Sequence, residues 1–173
     1  ALTLTDANGC TQTASQVVTQ PAAIVIAGDS VKNVSCNGGS NGAVYITASG
    51  GTGAYTYLWS NTATTEDITG LIANTYTVTV TDSKSCTRSS SIIVTDPPDL
   101  LITLNSSVNP TCNGLCNGTA TVQAPGGLGP YDYSSNGGAS YLFLDQAPAV
   151  TFTGLCTGGT TITVRDANNC VTP

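Results

Sequence analysis

The chain alternates. "AVYITAS" (43–49) sets Val44, Ile46 and Ala48 against Tyr45 and Thr47, and "TYTVTVTD" (75–82) sets Tyr76, Val78 and Val80 against threonines. In "AYTYLWS" (54–60), Tyr55, Tyr57 and Trp59 share one face and Thr56 and Leu58 the other. A period of two is the signature of a strand with one buried face. "IVIAG" and "KNVS" predict a first strand with a break, "TTEDIT" a weak strand, and "SSSIIVTD" a closing one. Between them lie NGG, SNG, SGGTG and DSKS, all turn sequences. Six or seven short strands in residues 23–98 predict a β-sandwich.

The pattern recurs. "TDANGC" (5–10), "TDSKSC" (81–86) and "RDANNC" (165–170) each place a Cys four residues after an Asp. Cys10 and Cys86 are 76 apart, Cys36 and Cys112 also 76, and Cys86 and Cys170 are 84 apart. A fixed period is an internal repeat. It divides the chain into residues 1–22, the tail of one repeat; 23–98, a complete repeat; and 99–173, a following repeat without its last strand. The second copy carries eight extra residues (84 minus 76) between Tyr133 and Gly154. The fold expected is all-β: tandem immunoglobulin-like sandwiches. "TQPAAI" and "TDPPDL" join them with almost no linker, and Pro21, Pro97 and Pro98 stiffen the joints.

Composition narrows the function. There is no His and a single Glu, Glu66, so acid–base catalysis would rest on isolated Asp residues, and no enzyme is expected. Net charge is −6 without a basic cluster, which argues against nucleic acid and against an anionic membrane. No apolar run is long enough to span a bilayer. No cofactor is implied. Zinc is disfavoured because Cys112 and Cys116 have no second pair and no His. Calcium on Asp82, or on Asp166 with Asn168, is the functional alternative to a plain turn, but a calcium loop gathers three or more oxygen ligands.

Seven cysteines in small repeats suggest covalent staples. The repeat predicts their pairing. Cys36 and Cys86 are alone in the complete repeat and are expected to bond. Cys112 and Cys170 are their counterparts, and the extra cysteines Cys116 and Cys156 form a third pair. Cys10 is left over. Such bonds imply an oxidising compartment. Trp59 is expected in the core near a disulfide, and Tyr76 as a tyrosine corner.

With these residues in view, "VSCNGGSNGAVYITASGGTGAYTYLWSN" followed by "LIANTYTVTVTDSKSCT" resembles the SprB-type repeat of giant surface adhesins in gliding bacteria. The resemblance covers a C-N-G-G-x-x-G opening, a G-G-x-G-x-Y-x-Y-x-W centre and a Y-x-V-x-V-x-D-x-x-x-C close. Residues 99–173 keep the opening and the Asp…Cys close but lack the Trp and that Tyr. The resemblance implies a long filamentous protein, exported by type IX secretion, displayed on the cell surface, and engaged in adhesion or gliding.

The leading expectation is a stalk of stacked repeats whose partners are neighbouring repeats or other filament subunits, with strand exchange as a further route between subunits. The alternative is a module that grips polysaccharide or a solid surface through the insertion, with Tyr141, Phe143 and Asp145 as contacts. Ser30, in Asp29-Ser30-Val31, and Asn33, Asn105 and Asn117, in N-x-S/T patterns, are candidate glycosylation sites.

Overall fold

The computed structural model describes residues 1–172, and the backbone alone at 143–146. Every regular element is a strand. β1 (Leu2–Thr5) and β2 (Thr11–Ala14) form an exposed antiparallel hairpin.

The first repeat contains β3 (Val25–Lys32), β4 (Gly42–Ser49), β5 (Thr56–Trp59), β6 (Ile68–Leu71), β7 (Asn74–Thr81) and β8 (Thr87–Val94). They make two sheets, β3-β4-β6 and β5-β7-β8. One core lies between them, with Val44, Ile46, Ile68 and Leu71 from one sheet against Trp59, Val78, Val80 and Val94 from the other. A three-plus-three order of first, second and fourth strands against third, fifth and sixth is consistent with an immunoglobulin-like sandwich without its fourth, edge-lying strand. The alternation in β7 holds residue by residue: Tyr76, Val78 and Val80 are buried and the threonines between them are partly or fully exposed. The expected break in the first strand is a bulge, where the register of β3 on β4 shifts between Gly28 and Ser30 and β3 continues through it.

Trp59 is 2% exposed, and its indole N–H donates to the Thr65 carbonyl at 2.8 Å. The Tyr76 hydroxyl donates to the Ile72 carbonyl, four residues upstream, at 3.0 Å. That bond closes the turn between the two sheets and is the geometry of a tyrosine corner.

The second repeat has β9 (Thr103–Val108), β10 (Gly118–Gln123), β11 (Tyr131–Ser134), β12 (Phe143–Gln146), β13 (Ala149–Leu155) and β14 (Thr163–Arg165). The first sheet is kept as β13-β10-β9. The second is altered to β12-β11-β14. The insertion has become an extra edge strand, β12, beside β11. On the other side of β14, where the first repeat has β8, the described residues supply only a bridge between Arg165 and Val171. Val94 of β8 packs over Gly42 in the first repeat. Around the equivalent Gly118, an apolar groove of about 500 Å³ is lined by Ile102, Leu104, Val108, Ala120 and Leu155. With no Trp or tyrosine corner, this core is centred on fully buried Tyr133, whose hydroxyl donates to the Pro148 carbonyl at 2.6 Å.

Candidate functional site

The Asp…Cys motif is a turn held by its own carboxylate. Asp82 Oδ1 accepts the amides of Lys84 and Cys86, both at 2.9 Å. Asp166 Oδ1 accepts those of Asn168 and Cys170, at 2.9 and 3.0 Å. Asp6 Oδ1 accepts those of Asn8 and Cys10, at 2.9 and 2.8 Å. In the two later copies the second oxygen reaches across to the glycine-rich loop. Asp82 Oδ2 accepts from Thr52 N at 2.9 Å and Asp166 Oδ2 from Leu128 N at 3.0 Å. The amide bonds, that from Cys86 foremost, hold the Asp82 carboxyl below its usual value. Gly51 makes room for the approach: a Cβ there would stand 2.9 Å from Asp82 Oδ2.

These bonds also fix the polarity of each repeat. The 82–86 turn sits with the β4–β5 loop at one pole of the first sandwich. Cys36 lies in the β3–β4 connection, at the other end of β4. Eight residues of strand separate the poles by about 26 Å, and cysteines cannot bond when their Cα atoms are more than about 7 Å apart. The expected pairs Cys36–Cys86 and Cys112–Cys170 are therefore not formed. Cys36 is bonded instead to Cys170 of the following repeat, across a sequence separation of 134. Cys116 is bonded to Cys156, which the pairing of Gly118 with Leu155 brings alongside. Cys10, Cys86 and Cys112 are free and exposed.

The Cys36–Cys170 bond belongs to a compact joint. Val94 ends the first core and Leu100 enters the second, leaving five residues, Thr95 to Asp99, between them. Both repeats grip that segment. On one side Val34 N donates to Thr95 O at 2.9 Å, Asn37 Nδ2 to Pro97 O at 2.9 Å, and Gly38 N to Asp96 Oδ2 at 3.2 Å. On the other, Gly127 N donates to Pro98 O at 3.1 Å. Asn168 Nδ2 crosses the joint to Ser35 O at 2.9 Å. Cys170 Sγ lies 3.3 Å from the same oxygen, a contact without a hydrogen bond because a disulfide sulfur carries no proton. Asn37, Asp96 and Asn168 were not singled out as joint residues by sequence reading; the recurrence of Asn-Gly after each opening Cys was a signal for Asn37 alone.

The remaining candidates lie apart from the joint. The Tyr141 ring is covered by the Arg165 guanidinium, 4.2 Å from its centroid, and Arg165 also pairs with Asp132 at 2.6 Å. Phe143 and Asp145 lie on β12, and their side chains are outside the described residues. Ser30 is exposed on β3. Asn33 Oδ1 accepts from Thr95 N at 3.0 Å, and Asn117 Oδ1 from Thr111 N at 3.0 Å, so both asparagines hold loops. Asn105 donates to Gln123 Oε1 at 3.3 Å.

The SprB repeat model matches residues 28–64 and 104–140. The two matches begin 76 residues apart (104 minus 28), the period of the chain itself. The two matched segments are thus similar to the SprB repeat, as the resemblance read from the sequence implies. No curated protein matches the chain.

Proposed function

We propose that this chain is a stalk segment of a long, secreted surface filament, in which sandwiches are stacked pole to pole and project a binding element away from the cell. The observation that carries the reading is the joint. The closing-turn pole of one repeat abuts the opening-loop pole of the one before it, over a five-residue segment with two prolines and a disulfide. Such a connection resists bending, and a rod of this kind derives its stability from each repeat plus its nearest neighbours. Its partners are neighbouring repeats, its role is mechanical rather than enzymatic, and its place is outside the cell, where disulfides persist. The family resemblance extends this to type IX export and gliding. Small-angle scattering of the oxidised chain tests the stacking. Two sandwiches end to end, each about 35–40 Å long by strand rise plus loops, give a maximum dimension of at least about 70–80 Å. A particle of about 50 Å, with repeats folded side by side, would overturn the stalk.

A further inference from the structure

Three cysteines are unpaired, and each is the repeat equivalent of one that is bonded. Cys86 and Cys10 correspond to Cys170, and Cys112 corresponds to Cys36. The equivalence is structural. Around Cys86 and Cys170 alike, the Asp amide donates to the Cys carbonyl at 3.0 Å, and the residue before the Cys has a positive φ, 64° at Ser85 and 63° at Asn169. The opening loops match as well. Asn41 accepts from Ser35 N and donates to its hydroxyl, and Asn117 does the same with Thr111. Cys86 and Cys112 are thus held in the loop conformations that carry the existing bond, facing outward.

We propose that Cys36–Cys170 is one rung of a ladder, and that Cys86 and Cys112 are sites of the same covalent link to neighbouring SprB repeats. The opening cysteine of each repeat bonds the closing cysteine of the repeat after it. Cys112 takes a closing-turn cysteine, and Cys86 takes an opening-loop cysteine. Each rung forms as two thiols lose two protons and two electrons to a disulfide oxidant, which is reduced to two thiols. The partner surface is a second SprB repeat presenting Cys-Asn-Gly on one side or Asp-x-x-x-Cys on the other. This inference rests on the equivalence of the repeats and not on the stalk: a side-by-side particle in scattering would leave it standing.

The test uses the whole chain with Cys10→Ser, to leave one free cysteine of each kind. Unlabelled and ¹⁵N-labelled chains are mixed and oxidised in a glutathione redox buffer. Thiols are then blocked, and the chains are digested without reduction and analysed by mass spectrometry. The expected result is Cys86–Cys112 peptides of mixed isotope, in large excess over Cys86–Cys86 and Cys112–Cys112, and a ladder on non-reducing gels that collapses with reductant. Adding Cys86→Ser abolishes the ladder while the Cys36–Cys170 peptide persists as the internal sign of folding. Random pairing of thiols would yield like-with-like links as often as mixed ones, and would overturn the proposal. So would glutathione caps on Cys86 and Cys112 without cross-links, or a Cys36–Cys86 peptide within one chain.

Discussion

Replacing Cys36 and Cys170 together by Ser tests the joint without leaving a free thiol to re-pair with Cys86. The bond closes a separation of 134 residues. In the chain-entropy account this stabilises by about 5 kcal/mol when both repeats unfold. If the second repeat stays folded, the loop is the unfolded first repeat, roughly 60 residues, and the logarithmic dependence lowers the figure only to about 4 kcal/mol. Trp59 makes the measurement local. It is the one Trp of the chain and is buried in the first core, so its fluorescence follows the first repeat. With a urea m-value near 1–1.5 kcal/mol/M for a domain of this size, the midpoint of that transition falls by about 3 M. The control is Cys116→Ser with Cys156→Ser, which removes a bond within the second repeat and leaves the Trp59 transition in place. A midpoint unmoved at equal m-value in the Cys36/Cys170 variant would refute the idea that this bond secures the first repeat.

Three further outcomes follow from the turn and the core. Gly51→Ala forces a Cβ to within 2.9 Å of both Asp82 Oδ2 and Ile24 Cγ1 at a φ of +61°, so it destabilises the first repeat by more than about 1 kcal/mol in the same urea assay. The Asp82 carboxyl is held low by its amide donors, so the stability it contributes is full above the ordinary value of 3.8 and is lost as pH falls through the lower folded value. Urea midpoints measured downward from pH 5 should show that loss, and Asp82→Asn should flatten it. Burial, and then the 2.8 Å bond to Glu66, push the Tyr57 phenol up to about 12. Its contribution to stability is full below pH 10 and is lost as pH rises through about 12. In ultraviolet titration Glu66→Gln should bring one tyrosine's ionisation to lower pH.

Much of the sandwich was legible because its signals are local. The alternation in 43–49 and 75–82 fixes which side chains meet the core, and the Asp…Cys motif forms its turn with bonds that span only two and four residues. Tyr76 and Trp59 were legible as structural for the same reason: position on a patterned strand decides their burial. The place of the extra strand β12 depends on which edge of the second sheet is open, and no local pattern carries that. The cysteine pairing failed on a related point. Counting cysteines within one period assumes that each repeat closes on itself. The poles of the sandwich, set by the pairing of β4 and by the bond of Asp82 to the β4–β5 loop, put the two cysteines of one repeat at opposite ends.

Val18 and Val94 show how far a local string can determine a fate. They are 76 residues apart, at the end of matching segments, "TQTASQVV" and "TRSSSIIV". Val94 is 1% exposed because β4 and β7 are there to receive it; Val18 is 91% exposed because residues 1–22 hold no such partner. The same holds for the three closing cysteines. Their turns are built alike, yet one sulfur is bonded and two are free, and the difference lies in whether an opening loop stands opposite. Each repeat encodes a shape together with two unsatisfied poles. In the stalk proposed above, the complement of each pole stands on the next unit, and stacking along one axis satisfies both.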